Sequence, residues 1–267
     1  ALYLVGMSFF DSLNHGLAAI STGGLSTHDY VLSDYTTFSA QLILFILMMF
    51  GIISFSSHYK LLTGKVKEFF KDTQIYLLIS IFLVAFAIVS LSQDSWTAIF
   101  HIGSAFGTGL SFTDFNTWSN LSLTFIIIIM IIGGASGSTG GGLKLIRIAV
   151  VFKSITNFIR SIFSPRQVFS KKVGAKKFTN AEVLQIYKYI FIYLFLFSII
   201  VFSLVLNGYG LKESLFQTAS AQGNVGLSIF ESYTLFAKII LMFAMLLGRL
   251  EIWCVLVFLG YLFKFRK

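Results

Sequence analysis

The segments His15–Ser26, His101–Ser111 and Gln217–Ser228 share one spelling. Each has a His or Gln, a small–Ala pair three residues on, then small polar residues closing on Gly-Leu-Ser. Asp11, Asp94 with Ser95, and Glu213 open a short amphipathic stretch before each, and an acid is favourable at a helix N-terminus. About twelve residues cannot cross a bilayer, so each stretch reads as a re-entrant helix ending in a glycine-rich loop. Irregular backbone survives at membrane depth only where it is buried or lines a wet path. There its carbonyl oxygens can replace the hydration shell of a passing cation, with Ser and Thr hydroxyls as further ligands. Glycine suits such a loop because it admits φ > 0 and close approach. One such turn would be a linker. Three in register are a pattern to read before any other.

A different concentration of glycine lies at Gly133-Gly134-Ala135-Ser136-Gly137-Ser138-Thr139-Gly140-Gly141-Gly142. Six glycines in ten break a helix, since each costs roughly 1 kcal/mol in a helix interior. No strand precedes the run and Lys144 does not directly follow a glycine, which excludes a P-loop. Gly134-Ala135-Ser136-Gly137 spells the GxSG of rhomboid-type intramembrane serine proteases, a chemistry that needs a histidine base. All four histidines, His15, His28, His58 and His101, precede Ser136, whereas that family carries its histidine on a later span. The remaining reading is an intramembrane loop beneath the other three. Arg249, inside the last apolar span, is a functional candidate because an ionisable group costs at least ~2.5 kcal/mol at the bilayer centre. Glu251 is too close along a helix to face it, so its partner should lie on another repeat.

These residues need elements to hold them, and composition says which. Of 267 residues, 56% are apolar and 12% charged, with a mean hydropathy of +0.85. Soluble domains carry about 25% charged residues, and disordered chains are poor in apolar ones. Cys254 is the one cysteine, which excludes a disulfide framework and a cysteine zinc site. Apolar stretches near 37–57, 74–92, 183–207 and 234–263 are long enough to span ~30 Å, and a fifth from near 120 is interrupted by the glycines. Sixteen of the twenty basic residues, among them Lys60, Lys71, Lys144, Arg166, Lys171, Lys176 and Lys264, fall on one side of these spans. Asp11, Asp29, Asp34, Asp94, Asp114, Glu213 and Glu231 fall on the other. The positive-inside rule makes the basic side cytoplasmic, including the C-terminus, and explains the charge of +9 without nucleic acid. Ala1–Met7 is too short to span and has no basic region before it, so it reads as the tail of a helix whose beginning is missing.

Ser21-Thr22-Gly23-Gly24-Leu25-Ser26-Thr27 with Asp29, the Gly133–Gly142 run followed by Lys144, and Gly248-Arg249-Leu250-Glu251-Ile252 carry a resemblance. Over nearly its whole length the chain resembles the TrkH/KtrB superfamily of potassium transporters. The resemblance implies an all-α polytopic membrane protein with four helix–pore-helix–filter-loop–helix units about a pseudo-fourfold pore, of which this chain holds the last three. It implies 1–71 as the second unit (filter 21–26), 72–163 as the third (filter 107–111, closing helix broken at 133–142), 164–180 as a basic connection, and 181–267 as the fourth (filter 223–228). Filter ligands would come from Ser21, Thr22 and Gly23, from Gly107, Thr108 and Gly109, and from Asn224, Val225 and Gly226. The second filter is one residue shorter than its neighbours, and the third adds the Asn224 amide to its carbonyls. The loop residues Gly133, Gly134, Ser136, Gly137, Ser138, Thr139, Gly140, Gly141 and Gly142 would form the gate with Arg249. The resemblance also implies a homodimer and a cytoplasmic nucleotide-binding regulatory ring of the TrkA/KtrA type.

The reading is thus K⁺ uptake across the cytoplasmic membrane, with no reaction catalysed and no cofactor beyond the transported K⁺. A coupled secondary transporter with broken helices is the alternative, disfavoured because the repeats run parallel rather than inverted; an intramembrane serine protease is more distant. Hydroxyls of Ser136, Ser138 and Thr139 are expected to meet the arginine or a passing ion, and Gly→Ala changes in the loop are expected to stiffen it and lower flux.

Overall fold

The computed structural model describes residues 1–28, 32, 36–164, 172–174, 176–230, 232–250, 254–255, 257–258 and 260–261. Asp29, Asp34, Arg166, Lys171, Glu231, Glu251, Ile252 and Lys264, all named above, lie outside the described residues.

The chain is mostly helical. The helices are α1 (Phe9–Ser21), α2 (Phe38–Ile52), α3 (Phe55–Leu62), α4 (Val66–Phe70), α5 (Thr73–Val89) and α6 (Ser95–Ala105). There follow α7 (Asn120–Ile132), α8 (Leu145–Phe163), α9 (Asn180–Leu206), α10 (Leu211–Gln222) and α11 (Leu235–Arg249). A two-stranded antiparallel ribbon, β1 (Lys172–Val173) and β2 (Lys176–Lys177), sits in the basic connection and is the one addition to the all-helical expectation among the described residues. Ser8, Thr37, Ser54, Asp72, Ser119, Thr179 and Thr234 start their helices by accepting a backbone N–H, the usual use of these residue types. At α9 the Thr179–Glu182 pair closes a capping box, with Lys176 Nζ 3.1 Å from the same carboxylate.

The long uninterrupted spans expected from hydropathy are corrected by the fold. Among the described residues, Asn180–Leu206 alone is a single helix long and apolar enough to cross a membrane; α2 and α3 reach that length only as a pair bent by 106°. The apolar stretch 37–57 breaks after Ile52; the far end of the stretch 234–263 lies partly outside the described residues. The break gives up helical hydrogen bonds next to Gly51, where the end of α1 packs too closely for a side chain.

The packing has a direction. The three short helices α1, α6 and α10 each precede a glycine loop, and the apolar helix after each of the first two loops packs onto the next short helix: α2 against α6, and α7 against α10. A central cluster including Ile52, Phe106, Phe115, Met130 and Phe216 fills the space between them, with the Phe115 and Phe216 rings 5.2 Å apart. Eight residues are buried in α6 and eight in α10, but in α1 just His15 and Ala19.

Candidate functional site

The three loops leave their helices at equivalent places and meet. Gly24, Gly109 and Gly226 all adopt left-handed backbone, with φ of 62°, 81° and 106°, and each precedes its Leu-Ser. A Cβ on Gly24 would run into the Thr108 carbonyl oxygen and lie 3.1 Å from that of Val225. A Cβ on Gly109 would run into the Val225 carbonyl oxygen. The loops therefore touch backbone to backbone, with the Thr108 and Val225 carbonyls at the junction.

The missing residue of the second loop is taken from its start. Thr22 and Asn224 are left-handed, each with φ 53°, where their helices end, whereas Gly107 and Thr108 continue the helical turn with both N–H groups bonded to Ser104 O. Gly23 is unlike Gly24: its φ is not positive, and a Cβ there would meet nothing nearer than Ser21 Oγ at 3.3 Å.

Side chains named from the sequence divide by where they point. The Ser21 hydroxyl turns back to Ala18 O and that of Thr22 to Ser21 O. Thr108 Oγ1 is buried with no hydrogen-bond partner. Asn224 Nδ2, also buried and unpartnered, lies against α11, where a Cβ on Gly248 would run into it.

The repeated His or Gln holds the segment after the loop. His101 Nδ1 faces Thr97 O at 2.8 Å, while Nε2 accepts from Phe112 N–H at 3.3 Å and faces Thr113 Oγ1. A neutral imidazole satisfies both contacts. Gln217 Oε1 accepts from Ile229 N and Ser228 Oγ in the same way. Beside the first loop Asp11 serves this end: it accepts from Thr27 Oγ1 at 2.5 Å and from Ser8 Oγ, with His28 Nε2 at 3.3 Å. Those hydroxyls, with His28, hold its carboxyl down at about 2. A carboxyl depressed below its unfolded value stabilises fully above that value and loses the contribution progressively as pH falls from there through the folded one. The Thr27 and His28 side-chain contacts should thus hold from neutral pH and weaken below about pH 4, and Asp11→Ala should loosen residues 25–28 at neutral pH, read as faster amide exchange. Protection that is already lost in wild type at mildly acidic pH would show that another group controls the segment.

Directly beneath the junction the run 133–142 is clamped from every side. Its neck is pinned to α7 by Leu143 N and Lys144 N, which bond Ile131 O and Ile132 O at 2.9 Å. The broken end of α2 supplies orphan carbonyls: Ala135 N bonds Ile52 O and Thr139 N bonds Gly51 O. Thr139 Oγ1 bonds both Ile20 O at the end of α1 and Gly51 O. Gly140 lies against Phe106 O and Gly107 at the end of α6, and Gly141 against Gly223 O at the end of α10. One loop thus touches the ends of all three short helices. On the basic side Ser136 N bonds Gln74 Oε1 at 2.7 Å.

Two of the three hydroxyls expected to meet the arginine, those of Ser138 and Thr139, are used to hold the loop. Ser138 Oγ bonds Ala135 O, and Thr139 Oγ1 is occupied as above. Arg249 Nη1 instead donates to the Thr139 carbonyl at 3.0 Å, so its partner does lie on another repeat. Lys144 Nζ bonds the Gly140 carbonyl. Both cations line a cavity of about 160 Å³ under the junction, with Gly140, Gly141 and Gly248.

Gly51 and Gly248 were missed as site residues. Their signal was an isolated glycine in an otherwise apolar helical stretch, which points to close backbone approach. Gln74 carried no signal.

Residues 75–262 match the family model TrkH, described as a cation transport protein. An uncharacterized cation transporter of Methanocaldococcus jannaschii is 32% identical, over 98% of this chain and 56% of that protein. The Trk system potassium uptake protein TrkG of Escherichia coli is 28% identical over 98% of this chain and 58% of its own length. The crystal structure of the potassium transporter TrkH from Vibrio parahaemolyticus superposes with a TM-score of 0.84 at 26% identity, over 96% of this chain and 59% of that one. The chain therefore spans a little over half the length of the relatives it matches.

Proposed function

Because this chain belongs to the TrkH family of cation transport proteins, we propose that it builds the greater part of a K⁺ uptake pore in the cytoplasmic membrane. The three glycine loops are its selectivity filter, and the run 133–142 with Arg249 is its gate. One observation carries this reading. The three loops meet so closely at Gly24 and Gly109 that backbone carbonyls of Thr108 and Val225 face the junction. Oxygens in that setting can stand in for the water around a dehydrated cation. A loop touching all three helix ends below them blocks the way out on the basic side, which the positive-inside rule makes cytoplasmic.

The boundaries 1–71, 72–163, 164–180 and 181–267 follow the same scheme, one filter loop to each of the three units. Helix packing supports a rotational arrangement with one place open. α2 covers α6 and α7 covers α10, but α11 packs on its own unit's α9 and α10, and α1 buries only two residues. The first unit of the family scheme, placed between α11 and α1, would cover both. The homodimer and the cytoplasmic nucleotide-binding ring of the TrkA/KtrA type rest on the family resemblance.

The test is K⁺ or Rb⁺ uptake by proteoliposomes holding the full-length protein, which should be saturable and prefer K⁺ over Na⁺. The 267-residue piece reconstituted alone should show no selective uptake, since its ring is open. Selective uptake by the isolated piece would sink the open-ring proposal.

A further inference from the structure

Lys144 sits in a backbone conformation that its residue type resists. Its φ is 76°, a left-handed geometry that costs a residue with a Cβ about 1–2 kcal/mol. Glycine occupies the other left-handed positions of this loop, Gly133, Gly137 and Gly142. Lys144 is also the residue from which α8 starts, and a cation there opposes the positive end of the helix dipole. Two local costs at one residue call for a compensating role of the side chain. The ammonium reaches back four residues to the Gly140 carbonyl, the neighbour of the Thr139 carbonyl that Arg249 holds. The two cations come from different repeats, sit on consecutive carbonyls of one loop, and line the same cavity below the filter junction.

We propose that Lys144 is a second tethered cation of the gate: its ammonium on the Gly140 carbonyl latches the loop shut and places a fixed positive charge beside the ion's exit. The proposal rests on the pore reading above. Lys144 closes the loop on its own neck, while Arg249 ties the same loop to the last helix. A K⁺ ion leaving the filter meets both charges, and the loop swings aside only when both seats are vacated. Lys144 thus positions the gate loop and shapes the electrostatic barrier; it is not a filter ligand.

The experiment uses full-length protein in proteoliposomes, comparing wild type with Lys144→Gly, Lys144→Arg, Arg249→Ala and the Lys144→Gly/Arg249→Ala double variant. Glycine removes the charge yet relieves the backbone, so folding is preserved, and size-exclusion behaviour checks it. Lys144→Gly is expected to raise K⁺ flux about tenfold, the change that ~1.4 kcal/mol off a barrier gives, with K⁺/Na⁺ preference unchanged. Lys144→Arg is expected to keep flux near wild type, which a purely local packing role of the lysine stem would not predict. The double variant should gain about the product of the singles, because both seats must be vacated before the loop swings and the two costs add in the barrier. A well-folded Lys144→Gly protein that conducts no faster than wild type would overturn the proposal, as would Lys144→Arg behaving like Lys144→Gly. Wild type that carries no K⁺ would instead overturn the pore reading, and this proposal with it.

Discussion

Gly109→Ala in the full-length protein is expected to abolish K⁺ discrimination, whereas Gly23→Ala leaves it nearly intact. Both positions lie in the proposed filter and both carry glycine, so composition alone would rank them equal. Two quantities separate them. Left-handed φ at Gly109, 81°, costs an alanine about 1–2 kcal/mol, a modest loss. The added methyl would also run into the Val225 carbonyl oxygen and lie 2.9 Å from Gly226 Cα. That collision dominates, because its partner is backbone from another repeat and cannot turn away as a side chain can. One of the two loops must move, and the Val225 carbonyl moves with it. If a carbonyl–cation contact is worth as much as a charged hydrogen bond, ~1.5–3 kcal/mol, the K⁺/Na⁺ preference falls by roughly ten- to a hundredfold. Gly24→Ala should behave alike through the Thr108 carbonyl. At Gly23 the nearest atom is the rotatable Ser21 hydroxyl at 3.3 Å and the backbone is unstrained. Ion-competition uptake measures the ratio directly. A folded Gly109→Ala protein with wild-type preference would remove the junction from the filter.

Arg249→Ala is expected to give the second large effect, a rise in K⁺ flux and a weaker dependence on the proposed regulatory ring. The guanidinium holds the Thr139 carbonyl at 3.0 Å, in the loop proposed as the gate below the proposed filter. Two unit charges at 4 Å repel by about 4 kcal/mol at an effective dielectric of 20. Even a quarter of that barrier is severalfold in rate. Deleting the loop should act in the same direction. Uptake of Rb⁺ with folding checked by size exclusion decides it: a folded Arg249→Ala or loop-deleted protein no faster than wild type would make both parts scaffolding. The expectation that Gly→Ala changes stiffen the loop and lower flux is narrowed by its packing. A Cβ on Gly133 or Gly141 would strike the carbonyls of Gly141 or Gly223, and one on Gly142 would lie 2.8 Å from Gly133 Cα. Those changes dislodge the loop rather than stiffen it. Gly137 has room, with nothing nearer than Ser54 Cβ at 4.0 Å, but its φ of 76° strains an alanine by about 1–2 kcal/mol, so a change there also loosens the shut loop.

The membrane class, the two charge-sorted ends and the three repeated loops were legible in the residues, because each is a property of composition or of local period. His15, His101 and Gln217 could be seen to recur, and Gly-Leu-Ser fixed the register of the loops. The break at 133–142 was visible for the same reason, since glycine density acts on the helix that contains it. Three things were decided only in space. The demanding glycine of the first loop is Gly24 and not Gly23, because it is the carbonyl of Thr108, 84 positions away, that excludes a side chain. The stretch 37–57 bends after Ile52 because its freed carbonyls bond Ala135 and Thr139 of a loop from the next repeat. Arg249 holds a backbone carbonyl 110 residues away. A repeat fixes what each unit resembles. How closely units approach around an axis depends on contacts between residues far apart in the chain, and no local pattern encodes that distance.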